Sequence, residues 1–183
     1  TAAGVRAFEA MMQRPGMKVR ILTNSLAATD VTAVHAGYAK RRKALLEAGV
    51  QLLELRPTMD KPTRHGSGPF GSSGSALPAK TFAVDGKRLF VGSFNFDPRS
   101  INLNTELGFI IESPEMAQAL SKSFEEVLPY RSYRVELDKN GDLVWIQLNE
   151  DGTERFFTSE PNASIWRRAG VGVLSILPIE WLL

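Results

Sequence analysis

Residues 80–100 read KTFAVDGKRLFVGSFNFDPRS, and they contain two short runs of β-branched, aliphatic and aromatic residues. Such runs, here at residues 79–84 and 89–92, are typical of strands. They meet at Asp85-Gly86-Lys87, whose Asp-Gly pair is a strong signal for a tight turn between antiparallel strands. The stretch therefore predicts a β-hairpin, which a run of polar residues follows from Ser93 onward.

The polar residues around the hairpin can form an anion site. Side chains alternate along a strand, so Lys80 shares a face with Pro78. A lysine that points toward the Ser93 hydroxyl and the Asn95 amide would place one cation and several donors around a single anion, which suits a phosphate. Donors fixed before reaction also stabilise charge on the non-bridging oxygens of a transition state. The pattern predicts a phosphate site made of these residues.

Helix and strand patterns alternate before the hairpin. A helix-like run at residues 5–12 precedes a strand at 19–22, and a second helix, with Gly49 as its left-handed stop, precedes a strand at 50–55. This alternation at short spacing predicts the α/β class, with a mixed and mostly parallel sheet flanked by helices. The predicted apolar face of the second helix comprises Val34, Tyr38, Leu45 and Ala48.

The chain after the second strand divides into three kinds of segment. Residues 56–76 are rich in Gly, Ser and Pro and predict a mobile or functional loop. A strand at 106–112 then leads to a helix at 114–127 with Ser113 as its N-cap. Three more strands, separated by turns at Asn140-Gly141 and Asp151-Gly152, predict a small β-meander.

We expect two regions. The main lobe covers residues 1–130, and residues 131–183 form an accessory segment, the β-meander followed by an amphipathic C-terminal helix. In this last helix, Trp166, Arg167, Arg168 and Trp181 flank an apolar run. That arrangement is typical of a helix lying in a membrane surface, although packing onto the body as a core helix explains it equally well.

Composition excludes several classes of function. With 183 residues and 43% hydrophobic residues, the chain predicts a folded globular body. Without a local patch, its net charge of +2 indicates neither nucleic acid nor anionic lipid as a partner. No cysteine is present, so disulfides, thiolate zinc sites and thiol nucleophiles are excluded. His35 and His65 lack the spacing of a metal site. We expect no transmembrane helix and no signal peptide, and Thr1 resembles a truncated edge.

The order and spacing of Lys80, Asp85, Ser93, Asn95 and Glu106 resembles the phospholipase D superfamily signature, H-x-K-x4-D followed by G-S-x-N-x-D-x-R-S and a downstream acidic residue. The sequence TNSLAA at residues 23–28 and the tail at 166–183 are most similar to the bacterial cardiolipin synthase branch of that superfamily, and the likeness covers nearly the whole chain.

This resemblance implies a metal-free and cofactor-free transfer of a phosphatidyl group between phospholipids. Two lobes would face each other, with one histidine attacking phosphorus and another acting as acid and base. Here Pro78 occupies the histidine position of what is expected to be the C-terminal lobe, and proline can neither attack nor donate a proton. The implied partners are the N-terminal lobe of the same protein, a phosphatidylglycerol-like phospholipid and the surface of the bacterial cytoplasmic membrane.

The resemblance also assigns roles to residues. Lys80, Ser93 and Asn95 bind phosphate, Glu106 orients the histidine of the opposite lobe, and Asp85 completes the motif in which Pro78 replaces the histidine. Asp97 and Arg99 are expected to hold the loop, since Asn, Asp and Pro favour such turns.

Two alternative functions stay open. A homodimeric phosphodiesterase or nuclease is disfavoured by Pro78, because both copies would lack the nucleophile. A catalytically dead lobe that binds phospholipid or a protein is the other alternative. His35 is expected to be a packing or capping residue, and His65 a solvated loop residue that could reach the vacant position. The basic run at 40–43 is expected to be a solvated helix face, with contact to lipid headgroups as the alternative.

Overall fold

A computed structural model describes residues 2–29, 32–57, 80–93 and 103–176, without the side chains of residues 32–34 and 173–176. The elements follow one another along the chain as α1 (Ala2–Met12), β1 (Arg20–Asn24), α2 (Thr32–Glu47), β2 (Gln51–Leu55), β3 (Lys80–Val84), β4 (Arg88–Gly92), β5 (Gly108–Glu112), α3 (Pro114–Glu126), α4 (Leu128–Arg131), β6 (Ser132–Leu137), β7 (Leu143–Leu148), β8 (Glu154–Phe157) and α5 (Ile165–Ile176).

The larger sheet has the strand order β1-β2-β6-β7-β8. Helix α2 connects β1 to its parallel partner β2, and its apolar face is buried against the sheet together with part of α1. Gly49 ends α2 with a φ of +89°, as the sequence predicts. The principal core consists of Val5, Leu45, Val50, Leu52, Tyr133, Val135 and Trp145.

The smaller sheet consists of the predicted hairpin β3–β4 and the antiparallel strand β5. Asp85 and Gly86 both have positive φ, at +55° and +61°, and the Lys87 amide donates to the Val84 carbonyl at 3.1 Å. Helix α3 packs against β3 and β4. Its N-cap Ser113 accepts a hydrogen bond from the Met116 amide, which confirms the predicted cap.

The α/β class with a helix-flanked sheet is confirmed. The direction of strand pairing differs from the expectation, because β1–β2 is the one parallel pair among the six described pairs. Tight turns between β3 and β4, β6 and β7, and β7 and β8 permit antiparallel pairing alone, whereas the crossover through α2 permits a parallel pair. Strand β6 pairs with β2, so the predicted meander extends the sheet of β1 and β2.

In the described part of the chain, no helix is sufficiently long and apolar to cross a bilayer.

Candidate functional site

The end of the smaller sheet brings together three of the predicted site residues. Lys80 opens β3 and pairs in register with Gly92, the last residue of β4. Ser93 follows Gly92 directly, and Glu106 stands two residues before Gly108, the partner of Gly92 on β5. The backbone positions of Lys80, Ser93 and Glu106 therefore lie at the same end of the smaller sheet.

Ser93 and Glu106 contact each other directly. The Ser93 hydroxyl donates to Glu106 Oε2 at 2.5 Å and accepts from the Leu107 amide at 3.2 Å. The side-chain amide of Asn104 donates to Glu106 Oε1 at 3.4 Å. A serine hydroxyl has one proton, and here that proton goes to the carboxylate. In this arrangement Ser93 fixes the orientation of Glu106, whereas the sequence predicted it as a phosphate ligand.

Two glycines shape the space beside Lys80. Register partners lie on the same face of a sheet, so Lys80 is followed across the strands by Gly92 and Gly108, which have no β-carbon. The ring of Phe90 occupies the space thus left. A β-carbon at Gly108 would lie 2.4 Å from Phe90 Cε2, and one at Gly92 would lie 2.7 Å from Phe90 Cζ. The site therefore has an apolar wall on the face that carries Lys80.

Of the other predicted site residues, Asp85 lies apart from this group and the rest are outside the described residues. Asp85 lies in the hairpin turn at the opposite end of β3, roughly 16–17 Å along the chain from Lys80 at about 3.2–3.4 Å per residue. Its position suits the positive-φ turn, which Asp tolerates better than most residues. Pro78 and Asn95 lie outside the described residues, as do His65, Asp97 and Arg99.

A second polar cluster lies in the interior, and the sequence reasoning missed it. The Arg42 guanidinium contacts Glu160 Oε1 through a terminal nitrogen at 2.8 Å. Its Nε lies 2.9 Å from Glu54 Oε1, an ion-pair contact whose angle falls short of a hydrogen bond. Tyr38 and Trp145 donate to the two oxygens of Glu54 at 3.1 and 2.9 Å. The cluster thereby joins α2, β2, β7 and the segment before α5.

His35 completes the cluster. Its Nε2 lies 2.9 Å from Glu160 Oε1 and 3.1 Å from a terminal nitrogen of Arg42. One ring nitrogen cannot donate and accept at once, so donation to Glu160 excludes acceptance from Arg42. The expectation that His35 packs in the interior is confirmed, since it is 4% exposed.

The charges in the cluster shift one another's pKa values. Burial raises the pKa of Glu160, but hydrogen bonds from His35 and Arg42 outweigh it and lower that pKa below its ordinary value of 4.5. Burial and the neighbouring Glu54 carboxylate raise the pKa of the Tyr38 hydroxyl well above 10.0. Burial lowers the pKa of Arg42, but the charge of Glu54 and the other partners of Arg42 outweigh burial and raise that pKa above its ordinary value. Arg42 is therefore a permanent cation held between two carboxylates.

The interpretation of residues 40–43 as a solvated helix face is wrong for Arg42, which is 2% exposed. A signal was available in the spacing. Arg42 lies four residues after Tyr38 and three before Leu45, within the apolar face that the sequence predicts. A charged residue in that face indicates a buried ion pair, although its acidic partners cannot be identified from a single sequence.

Helix α5 bears on whether the C-terminal segment packs onto the body or lies in a membrane surface. Val171 is buried with Ala163, Leu26 and Ala36, so α5 packs on α2. Trp166, by contrast, is 86% exposed. Trp181 lies outside the described residues.

Residues 2–128 match the family model described as "Cardiolipin synthase, PLD-like domain". This chain belongs to that family. The match covers more than half of the chain and includes β3 to β5 with Lys80, Ser93 and Glu106. The resemblance to a lobe of the phospholipase D superfamily is therefore confirmed.

The chain is 50% identical over its whole length to cardiolipin synthase C of Escherichia coli (strain K12), and it spans 38% of that protein. It is 30% identical over 84% of its length to an uncharacterised protein of Helicobacter pylori (strain J99 / ATCC 700824), of which it spans 29%. The chain thus covers less than half the length of these relatives. No solved structure matches it.

Replacing Arg42 by methionine should lower the free energy of unfolding by about 3–5 kcal/mol, because Glu54 and Glu160 would remain buried without their cation. Urea unfolding followed by circular dichroism measures the change. Arg134→Met is the matched control. Arg134 pairs with Glu136 and Glu154 at a half-exposed site, so its loss should cost less than about 1 kcal/mol. Equal effects of the two variants would contradict the importance of the buried cluster.

Glu160→Gln should flatten the acid limb of the stability curve. The folded-state pKa of Glu160 lies below 4.5, so the unfolded chain binds the proton more tightly, and stability from this group is present above about pH 5.5 and lost as pH falls through the folded-state pKa. Urea unfolding between pH 3 and pH 7 measures the slope. Glu126→Gln, at an exposed ion pair, controls for removal of a surface carboxylate. Parallel curves for wild type and Glu160→Gln would refute the prediction.

Proposed function

We propose that this chain is the phosphate-holding lobe of an enzyme that transfers a phosphatidyl group from one phospholipid to a hydroxyl of another, making cardiolipin. The observation that supports the proposal is that Lys80, Ser93 and Glu106, in the order of the family motif, lie at one end of the smaller sheet, where Ser93 contacts Glu106. The name of the Escherichia coli relative supports the choice of product.

The roles of the residues follow from their charges. Lys80 binds the phosphate as a cation on a rigid strand, and Asn95 adds a donor in the family arrangement. Glu106 is an acceptor whose orientation Ser93 fixes at 2.5 Å. A fixed carboxylate suits the task of holding an imidazole in one tautomer, so Glu106 orients the histidine of a second phospholipase D-like lobe.

Pro78 determines the division of labour between the lobes. Proline has no lone pair for attack on phosphorus and no proton for the leaving alcohol. The nucleophile is therefore the histidine of the second lobe, which forms a phosphohistidine, and the lobe described here lacks the usual acid and base. By itself this chain is inactive.

Two other functions remain candidates. Pro78 favours a non-enzymatic lobe that binds phospholipid or a protein partner, because the site keeps its cation and loses its reactive group. A phosphodiesterase or nuclease formed by two copies of this chain is disfavoured, since neither copy supplies a histidine at position 78.

The proposed substrates, such as phosphatidylglycerol, lie in a bilayer. We therefore place the protein at the bacterial cytoplasmic membrane as a peripheral protein.

Lys80→Ala should reduce phosphatidyl transfer by the two-lobe protein by on the order of 10²- to 10³-fold, as expected for loss of one group that stabilises the transition state. Thin-layer chromatography of radiolabelled phosphatidylglycerol measures the product. Lys87→Ala is the matched control, since Lys87 is exposed in the hairpin turn at the other end of β3. Equal transfer rates for both variants would show that Lys80 does not contribute to the site.

Pro78→His should raise transfer by the two-lobe protein by about 10²- to 10⁴-fold, the usual contribution of a general acid and base. No gain would favour the binding role over a catalytic one. The same assay applied to the unaltered 183-residue chain alone should give no product. Product from that chain alone would contradict the division of labour.

A further inference from the structure

The first two turns of α5 present an apolar face to solvent. Ile165 is 77% exposed and Trp166 is 86% exposed, and Ala169 and Gly172 are exposed on the same side of the helix. These four positions fall within about 120° of arc at 100° per residue, and none of them is charged. Fully exposed tryptophan beside fully exposed isoleucine is rare on a soluble surface, where aromatic residues usually find cover.

This face belongs to a fixed part of the fold. The opposite side of α5 is anchored by Val171, which is buried. Two polar contacts hold the segment before the helix: Glu160 pairs with Arg42, and the Asn162 side-chain amide donates to the Tyr133 hydroxyl at 2.9 Å. In the first turn of the helix, the Arg167 guanidinium donates to the Thr29 carbonyl at 2.8 Å. The exposure of Ile165 and Trp166 therefore reflects the direction in which an anchored helix points.

The two helices to which this face belongs carry a net positive charge. Together α2 and α5 contain six Lys and Arg residues and one acidic residue, Glu47. Of the six, Arg42 is neutralised within the buried cluster, whereas Lys40 and Lys43 are exposed and Arg168 is partly exposed on the turn of α5 that carries Trp166. The apolar face thus lies on a helix pair with a net positive charge.

We propose that Ile165 and Trp166 insert into the headgroup region of an anionic bilayer and form the membrane-contact surface of this protein. A tryptophan at the end of an apolar face, followed directly by Arg167 and Arg168, is the arrangement that lipid interfaces favour. The two side chains offer roughly 300–400 Å² of surface, well below the ~800 Å² per partner that a stable protein complex buries. Their area and charge therefore fit a lipid surface better than a second copy of the chain.

The inference deepens the proposed function and rests on it in one respect, that the substrate lies in a bilayer. It differs from the amphipathic-helix reading of the sequence. The side of α5 that contains Val171 is packed on α2, so the helix does not lie flat in the membrane. It projects two residues from its N-terminal turn.

Vesicle sedimentation tests the surface with the 183-residue chain. Wild type should bind vesicles of phosphatidylglycerol and phosphatidylcholine, and should bind pure phosphatidylcholine vesicles less well. Ile165→Ser with Trp166→Ser should weaken binding to the anionic vesicles by on the order of 10- to 100-fold. Phe156→Ser is the matched control, because Phe156 is 61% exposed on β8, the outer strand of the larger sheet, and its loss should not change binding.

A spectroscopic measurement keeps the native side chains in place. With Trp181→Phe in every sample, lipids brominated in the acyl chains should quench the fluorescence of the wild-type Trp166 and not that of Trp166→Phe. The remaining tryptophan, Trp145, is 3% exposed and shielded from lipid.

Three results would overturn the proposal. In the first, the wild-type chain does not bind anionic vesicles. In the second, the double variant binds them as well as the wild type does. In the third, sedimentation analysis shows that the wild type self-associates through Ile165 and Trp166, while vesicle binding does not depend on them. Vesicle binding requires neither a second lobe nor turnover. If the two-lobe protein makes no product while Ile165 and Trp166 still mediate vesicle binding, the proposed function alone is refuted. If it makes product while vesicle binding does not depend on these residues, the membrane surface alone is refuted.

Discussion

The buried contact between the Arg42 guanidinium and the carboxylates of Glu54 and Glu160 is the interaction on which the larger sheet and its helices depend. Desolvating three charges costs several kcal/mol per ion, and their mutual attraction offsets that cost only while all are in place. The Trp145 indole, which donates to Glu54, and the His35 ring, which contacts Glu160, satisfy the remaining acceptors. The cluster is therefore stable only as a whole.

This requirement couples parts of the chain that are far apart in sequence. Glu160 is 118 residues from Arg42, and it belongs to the segment that leads into α5. Folding of α2 onto β2 without that segment would leave a terminal nitrogen of Arg42 buried without its acceptor Glu160, which is unfavourable. The direction of α5, and hence the exposure of Trp166, follows from the same ion pair that closes the core over β2 and β7.

The sequence predicted best those features that a few neighbouring residues determine. Gly49 and the Asp85-Gly86 turn are examples, because positive φ limits the choice of residue. Strand direction was predicted less well, since it depends on which strands meet. Arg42 was missed because its partners lie 12 and 118 residues away. The phosphate site of Lys80, Ser93 and Asn95 that strand periodicity predicts stays a prediction, whereas the contact of Ser93 with Glu106 is visible only in the coordinates.

The Ser93–Glu106 contact bears on how a carboxylate can share a site with a phosphate. Two anions a few ångströms apart repel each other, by about 4 kcal/mol at 4 Å for an effective dielectric constant near 20. In the proposed site, Lys80 would offset part of this repulsion, and an imidazolium between Glu106 and the phosphate would offset the rest. In the proposed mechanism that cation appears when the histidine of the second lobe bonds to phosphorus through one ring nitrogen and keeps its proton on the other, next to Glu106. A carboxylate already aligned by Ser93 needs no reorientation at that moment, so it stabilises the charged state more than the neutral one, which is the requirement for catalysis.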